Sequence, residues 1–226
     1  MVFHALRIDL TCPKLRIIVS GGNLSAKVST FVRDNNLLAG INALPFDLVS
    51  DREGEPRTNA GVVIADGIML SPPHPQFDAL VFFADGSAAI IPQSKIDLTE
   101  NIAHAVGGFR RILENSEPVP RVLDLNVRHP RSAAGLSPDG KFLYLLVIDG
   151  RRSGSVGSTE AETALVLRAL GVGEGINFDG GGSSALTLRF PDGTVRVVNT
   201  PVHGRRQGRE RAVAGSLGIG LVDLTP

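Results

Sequence analysis

Asp-Gly dipeptides punctuate this 226-residue sequence and constrain its fold more than any other feature. Besides Asp179-Gly180, which opens a glycine-rich segment, five of them begin at positions 66, 85, 139, 149 and 192. Several stand between short apolar runs, and both residues tolerate the positive φ angles of tight hairpin turns. The pattern predicts one hairpin between residues 79–83 and 87–91 and another between residues 185–190 and 194–198. We therefore expect a chain built mainly from short antiparallel strands.

Longer periodic segments predict the remaining elements. Residues 141–148 form the most apolar run and predict a central strand covered on both faces, and residues 212–221 predict a closing strand. Ser25 is a suitable N-cap for a helix that continues to about residue 35. Thr159 and Glu162 form a capping box, which predicts a second helix over residues 159–170.

The sequence as a whole favours the α+β class. Hydrophobic residues make up 42% and charged residues 20%, which is enough apolar material for a sizeable core. A doubly wound fold would need regular alternation of strands and helices, and that alternation is absent. We predict a single domain over residues 1–226, with mixed or mostly antiparallel sheets and a few flanking helices.

Charge and cysteine content exclude several classes of partner and site. Lys+Arg and Asp+Glu are both 23, and a formal net charge of +0 argues against nucleic acid and anionic membranes as partners. Cys12 is the only cysteine, so neither an intramolecular disulfide nor a cysteine-based zinc site is expected. No run approaches the roughly 18 apolar residues of a membrane span. The first residues lack a signal-peptide pattern, so a cytoplasmic location and export after removal of a signal both stay open, as does the oligomeric state.

The segment Asp179-Gly180-Gly181-Gly182-Ser183-Ser184 is the strongest candidate for a functional site. Three successive glycines let the backbone approach a ligand closely and turn its N–H groups toward an anion. The segment lacks the ending of a nucleotide P-loop, and a hairpin rather than a helix follows it. Alone it could be a flexible turn. Asp179, at the end of a short strand over residues 176–178, favours a catalytic site instead.

Three further segments carry candidate side chains. Two arginines are suited to phosphate recognition: Arg131 in His129-Pro130-Arg131, and Arg151 in Asp149-Gly150-Arg151-Arg152. A single histidine such as His129 is more often structural, and Arg152 is expected to pair with a carboxylate. Asn42 and Asp47 lie in an apolar segment and are expected to make buried hydrogen bonds. Residues 204–211 predict an exposed loop.

The order of these motifs resembles the phosphodiester glycosidase domain over nearly the whole chain, from about residue 7 to residue 221. The matching motifs are N-x-x-x-F-D (42–47), H-P-R (129–131), D-G-R (149–151), N-x-D-G-G-G-S-S (177–184), V-N-x-P (198–201) and E-R-x-V-A (210–214). Where the family usually has I-N-G-G-F-F-D, residues 41–47 lack the double glycine. Related bacterial domains are often exopolysaccharide-associated and exported.

The resemblance implies a hydrolase that cleaves the sugar C1–O bond of a sugar-1-phosphodiester. It places Asp179 as base or nucleophile, and Arg131, Arg151 and the N–H groups of Gly180 to Gly182 on the phosphate. Asp149 and Asn42 would orient the sugar or an arginine. The remaining implied substrate-binding residues are Asp47, His129, Asn177, Ser183, Ser184 and Arg211. We expect Asp149 and Asp179 at the ends of neighbouring strands, close to Arg131.

Two other functions are compatible with the same residues. One is a carbohydrate-binding or exopolysaccharide-assembly module without catalysis. The other is a metal-dependent phosphodiesterase that cuts the P–O bond. No cofactor is required by the proposed chemistry, but Asp47, Asp149 and Asp179 would permit a divalent metal ion.

Overall fold

Three β-sheets contain most of the strands, and a computed structural model describes residues 1–22, 24–50, 52–97, 101–204 and 206–222. In spatial order, the six-stranded sheet contains β1 (Phe3–Asp9), β14 (Phe142–Ile148), β13 (Arg131–Leu136), β15 (Glu174–Asn177), β11 (Arg110–Glu114) and β12 (Glu117–Pro118). One five-stranded sheet contains β7 (Ile68–Ser71), β6 (Val63–Ala65), β10 (Ile102–Gly107), β8 (Asp78–Phe83) and β9 (Ala88–Pro92). The other contains β17 (Val195–Val197), β16 (Leu186–Arg189), β3 (Ala39–Asn42), β20 (Ser216–Leu221) and β2 (Leu15–Ser20).

Short elements complete the fold. Two strand pairs join β4 (Phe46–Asp47) to β5 (Thr58–Asn59) and β18 (Val202–His203) to β19 (Arg206–Gln207). Three 3₁₀ turns occupy Gln93–Lys95, Pro120–Val122 and Gly181–Ser183. All strand pairs within the described sheets are antiparallel. The predicted α+β class with mostly antiparallel sheets is confirmed.

The strand β14 is covered on both faces, as its apolar run predicts. Leu143, Leu145 and Val147 pack into a core shared by the three large sheets. The residues that alternate with them along β14, including Leu146, lie on the opposite face and pack into a second core beneath the second helix. Both predicted hairpins are present, as β8–β9 and β16–β17. The closing strand is shorter than predicted, because residues 212–215 make no strand pairing beyond a bridge from Val213 to Ala26.

The two helices differ in how well the sequence predicts their starts. The first, α1 (Val28–Asp34), begins after Lys27, so the prediction that Ser25 caps it is wrong. The Ser25 hydroxyl donates to the Arg52 carbonyl instead, and the N–H of Ser29 finds an acceptor in the distant Glu210 carboxylate. A tertiary contact has replaced the local cap. Neither α-helix of the described chain is long and apolar enough to cross a membrane.

The second helix, α2 (Glu160–Ala169), has the predicted capping box. The N–H of Glu162 donates to Thr159 Oγ1 at 3.1 Å, and the Glu162 carboxylate accepts the N–H of Thr159 at 2.9 Å. This reciprocal pair fixes the first turn of α2. It thereby places the side chain of Glu160, which begins the helix, over one edge of the six-stranded sheet.

That sheet edge gathers the candidate residues. The strands β14 and β15 are both antiparallel to β13, which lies between them, so the ends of β14 and β15 and the start of β13 share one edge. Asp149 follows β14, Asp179 comes two residues after β15, and Arg131 begins β13. The shared edge is as predicted. The expectation that β14 and β15 are direct neighbours is wrong, because β13 separates them.

Replacing Thr159 by Ala tests the capping box. Loss of the hydroxyl leaves an N–H donor of the first turn without its acceptor, and we expect a loss of about 1 kcal/mol in the free energy of unfolding. The corresponding fall in Tm is about 2–4 °C for a chain of this size. Thermal denaturation followed by circular dichroism measures it. Thr159→Ser keeps the oxygen and should retain most of the stability; equal losses in both variants would contradict the assignment.

Candidate active site

A cleft of about 310 Å³ opens at this sheet edge. Five of its lining residues are charged: Arg110, Arg131, Arg151, Glu160 and Asp179. The others are Phe109, His129, Asn177, Gly180 and Gly181. A larger cavity of about 570 Å³ lies between the β1–β2 turn and the β8–β9 hairpin, and its described lining contains no arginine. The smaller cleft therefore has the chemistry expected for an anionic ligand.

Two hydrogen bonds hold the backbone of Asp179, one from the last residue of β3 and one to the residue after β3. Its N–H donates to the Ala43 carbonyl at 2.8 Å, and its carbonyl accepts from Asn42 Nδ2 at 2.6 Å. Asn42 Oδ1 accepts from Ser132 Oγ at 2.6 Å and from the N–H of Ala185 at 3.1 Å. Asn42 thus makes the buried hydrogen bonds that its apolar surroundings predict. It positions Asp179 and does not line the cleft.

The Asp179 carboxyl lies in an environment that favours its protonated form. Burial raises its pKa to about 6, although the Ser183 hydroxyl, Arg211, the N–H of Gly180 and Arg151 all act to lower it. Desolvation therefore outweighs the combined effect of the donors and the arginines. A carboxyl with this pKa can hold or accept a proton near neutral pH, as general acid–base chemistry requires.

The N–H groups of the glycine loop differ in whether they are occupied. The N–H of Gly181 donates to the Pro130 carbonyl at 2.8 Å, so the prediction that this group holds a phosphate is wrong. The N–H of Gly180 acts to lower the pKa of the Asp179 carboxyl, and phosphate binding by the N–H groups of Gly180 and Gly182 stays a prediction. A Cβ atom would lie 2.9 Å from Arg151 Nη2 at Gly181 and 2.4 Å from Arg211 Nη2 at Gly182. The glycines give two guanidinium groups room to approach the loop.

Arg151 is the cleft arginine without an ion pair among the described residues, whereas Arg110 and Arg131 both pair with Glu160. In the described part of the chain its guanidinium makes one contact within hydrogen-bonding range, to His129 Nδ1 at 3.4 Å. Its φ angle is +58°, in the left-handed region that residues other than glycine rarely adopt. Burial and the neighbouring arginines lower the pKa of His129. Arg151 is therefore a largely unpaired cation at the cleft, held there against backbone strain.

Arg131 lines the cleft, but three protein acceptors occupy its guanidinium. Nε donates to the Ser158 carbonyl at 3.0 Å, and Nη2 donates to the Val127 carbonyl at 3.0 Å. Nη1 lies 3.5 Å from Oε1 of the Glu160 carboxylate. Arg131 therefore ties the start of β13 to α2, and a two-pronged phosphate contact would have to displace these partners.

Asp149 lies outside the cleft lining and is almost fully buried. Its Oδ2 atom accepts from Arg152 Nη2 at 2.6 Å, and Oδ1 accepts from the N–H of Thr200 at 2.9 Å and from Asn199 Nδ2 at 3.3 Å. These contacts fasten the loop that carries Arg151. Asp149 is a positioning residue, and the predicted pairing of Arg152 with a carboxylate is present.

Several predicted residues lie away from the cleft surface. Asp47 is exposed on β4 and does not line the cleft, so its predicted burial is wrong. Ser184 is buried without a hydrogen-bond partner for its hydroxyl among the described residues. Ser183 accepts a hydrogen bond from Arg211 Nη1 at 3.1 Å and supports Asp179. The predicted exposed loop 204–211 is exposed at Arg206, whereas Arg205 lies outside the described residues.

Sequence reasoning missed three lining residues: Phe109, Arg110 and Glu160. Arg110 and Phe109 follow the apolar run of β10, and Glu160 sits in the first turn of a helix whose apolar face is buried. A charged residue next to a buried element can indicate a site residue in the sequence. The sequence does not show which distant residue will lie close to that charge.

No group of three or more His, Cys, Asp or Glu side chains in the described ranges is close enough to hold a metal ion. Asp47, Asp149 and Asp179, whose carboxylates would permit a divalent ion, are not brought together. The predicted possibility of a divalent ion therefore has no ligand cluster among these three residues.

The fold matches three solved structures at low sequence identity. The catalytic domain of zebrafish N-acetylglucosamine-1-phosphodiester α-N-acetylglucosaminidase, auto-inhibited by its pro-peptide, matches with a TM-score of 0.71 and 19% identity, over 97% of this chain and 83% of that chain. A Burkholderia pseudomallei protein matches with a TM-score of 0.71 and 16% identity, over 96% and 73% of the two chains. A Synechocystis protein matches with a TM-score of 0.64 and 13% identity, over 96% and 58%. The three matches define a common fold.

Sequence comparison identifies the family. The SPbeta prophage-derived uncharacterized protein YomE of Bacillus subtilis (strain 168) is 27% identical over 175 residues, which are 72% of this chain and 26% of that protein. This chain spans about a quarter of the length of that relative. The phosphodiester glycosidase family model matches residues 35–220. This chain belongs to the phosphodiester glycosidase family, as its motifs predict.

The raised pKa of Asp179 predicts a pH-dependent cost in stability. Between the ordinary value of 3.8 and about 6, the folded protein keeps a proton that the unfolded chain has lost. Stability is therefore greatest below this window and falls as pH rises through it. Asp179→Asn does not titrate, so its stability relative to wild type should grow between pH 4 and pH 7 by about 2–3 kcal/mol.

Urea denaturation at several pH values measures this difference. Asp192→Asn is the matched control, because hydrogen bonds from Thr194 lower the pKa of that exposed carboxyl. Its stability relative to wild type should change little between pH 4 and pH 7, because that carboxyl titrates below its ordinary value of 3.8. A difference for Asp179→Asn that does not change with pH would show that the carboxyl titrates in its ordinary range.

Proposed function

We propose that this protein hydrolyses a sugar-1-phosphodiester at the sugar C1–O bond, releasing the free sugar and a phosphomonoester. The observation that carries the proposal is that Asp179, whose pKa is raised to about 6, and the largely unpaired Arg151 line the same cleft. Membership of the phosphodiester glycosidase family supports the same reaction class.

The charge distribution of the cleft suits a phosphate leaving group. An alkoxide leaving group must be protonated, so an ordinary glycosidase needs a second carboxylic acid as general acid. A phosphomonoester leaves with its charge already delocalised, and a cation can stabilise that charge. We assign this role to Arg151. Arg131, whose guanidinium is occupied, is assigned to positioning Glu160.

Asp179 acts at the anomeric carbon in this proposal. Its ionised form either accepts a proton from the water that attacks C1, or attacks C1 itself to form a glycosyl ester that water then hydrolyses. In both cases the bond between C1 and the phosphate oxygen breaks and the phosphomonoester leaves. Its pKa of about 6 lies close enough to neutral pH for efficient proton transfer. The backbone contacts to Ala43 and Asn42 keep the carboxyl in one place during the reaction. No cofactor takes part in these steps, and a chelator should leave turnover unchanged.

The bond that breaks can be identified with a phenyl hexose-1-phosphate diester as substrate. Hydrolysis in oxygen-18 water should place the label in the sugar, whereas a phosphodiesterase would place it in the phosphate. Asp179→Asn should lower the rate by at least about 100-fold, as for the loss of a positioned base. Asp192→Asn changes an exposed carboxyl in the same way and should keep full activity. Label in the phosphate would overturn the proposed reaction, and near-normal turnover of Asp179→Asn would overturn the role of Asp179 in it.

Substitution of two arginines by Lys separates their roles. Lys keeps the positive charge but loses the planar fork, so Arg151→Lys should weaken competitive inhibition by inorganic phosphate about tenfold. Arg131→Lys should leave phosphate inhibition nearly unchanged and lower Tm, because it disrupts contacts to Ser158, Val127 and Glu160. Arg196→Lys, at an exposed pair with Asp192, is the control. Weaker phosphate inhibition in Arg131→Lys alone would exchange the two assignments.

A further inference from the structure

The start of β11 and the start of α2 together form one wall of the cleft, which we call the β11–α2 wall (Phe109, Arg110 and Glu160). We propose that this wall binds the sugar ring of the substrate, and that Glu160 selects for its hydroxyl groups. The inference rests on the proposed function, because it assigns the sugar end of the same substrate.

The wall is built by elements that are far apart in the sequence. Arg110 is paired directly with Asn177 across β11 and β15, so the two side chains share one face of the sheet. Glu160, at the start of α2, lies above that face. Its Oε2 atom is 3.6 Å from Arg110 Nε, and its Oε1 atom is 3.5 Å from Arg131 Nη1. Two arginines thus hold one carboxylate at the cleft.

Two acceptor atoms at this side of the cleft lack a hydrogen bond, since Arg110 Nε lies 3.6 Å from Glu160 Oε2, beyond hydrogen-bonding distance. Glu160 is 7% exposed and Asn177 is 1% exposed, yet Glu160 Oε2 and Asn177 Oδ1 have no hydrogen-bond partner among the described residues. A buried acceptor without a donor costs about 1–3 kcal/mol, and such atoms are rare in folded proteins. Both residues line the cleft, so a ligand that brings hydrogen-bond donors would recover this cost.

The sugar end of the substrate carries hydrogen-bond donors, whereas its phosphodiester end does not. A phosphodiester anion carries only acceptor oxygens and would be repelled by a carboxylate. Sugar hydroxyl groups are donors and can hydrogen-bond to both acceptor atoms, Glu160 Oε2 and Asn177 Oδ1. The Glu160 carboxylate also offsets the charges of Arg110 and Arg131, which leaves Arg151 as the cation for the phosphate. The cleft therefore orients the substrate with its sugar end on the β11–α2 wall.

Phe109 supplies the apolar part of the same subsite. Its ring is partly exposed at the cleft and meets the Phe77 ring edge to face, with centroids 5.4 Å apart and planes at 76°. Phe77 in turn stacks on His74 at 3.9 Å. The Phe109 ring is thus held by neighbouring aromatic rings. A fixed aromatic surface beside hydrogen-bonding groups can pack against the C–H face of a sugar ring.

Direct binding of free hexoses tests the assignment without any turnover. Glucose, galactose, mannose and their N-acetylamino derivatives are titrated into wild type, Glu160→Gln and Phe109→Leu by calorimetry. We expect at least one hexose to bind wild type, and each variant to weaken that binding about tenfold, which equals about 1.4 kcal/mol. Glu117→Gln is the matched control, because Glu117 also pairs with an arginine, Arg168, but outside the cleft. Its hexose affinity should equal that of wild type.

Deoxy sugars show whether the Glu160 carboxylate accepts a hydrogen bond from a sugar hydroxyl group. Wild type should discriminate between the bound hexose and one of its monodeoxy analogues, and Glu160→Gln should lose most of that discrimination, as a double-mutant cycle measures. Inorganic phosphate inhibition should not weaken in Glu160→Gln, because the substitution removes a negative charge from the cleft. If this variant loses its thermal unfolding transition, Phe109→Leu decides by the same titration. No hexose binding to wild type, equal hexose affinity in the variants, or weakened phosphate inhibition in place of weakened hexose binding would overturn the assignment.

These outcomes are independent of the proposed reaction. Hexose binding that depends on Glu160, together with full activity of Asp179→Asn, would overturn only the assignment of Asp179. If oxygen-18 label appears in the sugar, but Glu160→Gln and Phe109→Leu bind hexose as tightly as wild type, only the assignment of the sugar subsite is overturned.

Discussion

The buried side chain of Asn42 is the interaction on which the candidate site depends. Its amide nitrogen holds the Asp179 carbonyl at 2.6 Å, and its amide oxygen accepts from Ser132 and Ala185. Because Ser132 belongs to β13 and Asn42 to β3, these contacts join two sheets at the point where the catalytic candidate leaves β15. A buried amide satisfied at both ends is stabilising, whereas loss of one partner would leave a desolvated polar group. Asp179 therefore depends on the packing of two sheets.

The partners of the arginines determine the electrostatics of the cleft. Arg152 is paired with the buried Asp149 carboxylate, and Arg131 is occupied by two carbonyls and Glu160. Arg211 is hydrogen-bonded to Ser183 and His203, so it supports the loop around Asp179. Arg151 has one contact within hydrogen-bonding range, to His129, and no ion pair in the described part of the chain. A cluster of similar charges is thus divided into arginines that are paired within the protein and one that is largely unpaired.

The site carries costs that the rest of the fold must offset. Burial disfavours ionisation of Asp179 and raises its pKa to about 6, and Arg151 has a positive φ angle. Backbone strain of this kind costs about 1–3 kcal/mol and persists only where the surrounding structure imposes it. The support comes from a core in which β14 is packed on both faces. The same fold occurs in the zebrafish catalytic domain at 19% identity, so the pattern of packing carries it.

The sequence alone determined the antiparallel hairpins, the doubly covered strand β14, the capping box of α2 and the family, because each depends on patterns within a short stretch of chain or on motif order. Only the tertiary structure decided the cap of α1, the roles of the arginines and the presence of Glu160 in the cleft. Arg131 and Glu160 are 29 residues apart, and Asn42 and Asp179 are 137 residues apart. A side chain's type is encoded locally, but whether its charge is free or occupied depends on partners that only the packing of sheets and helix brings within reach.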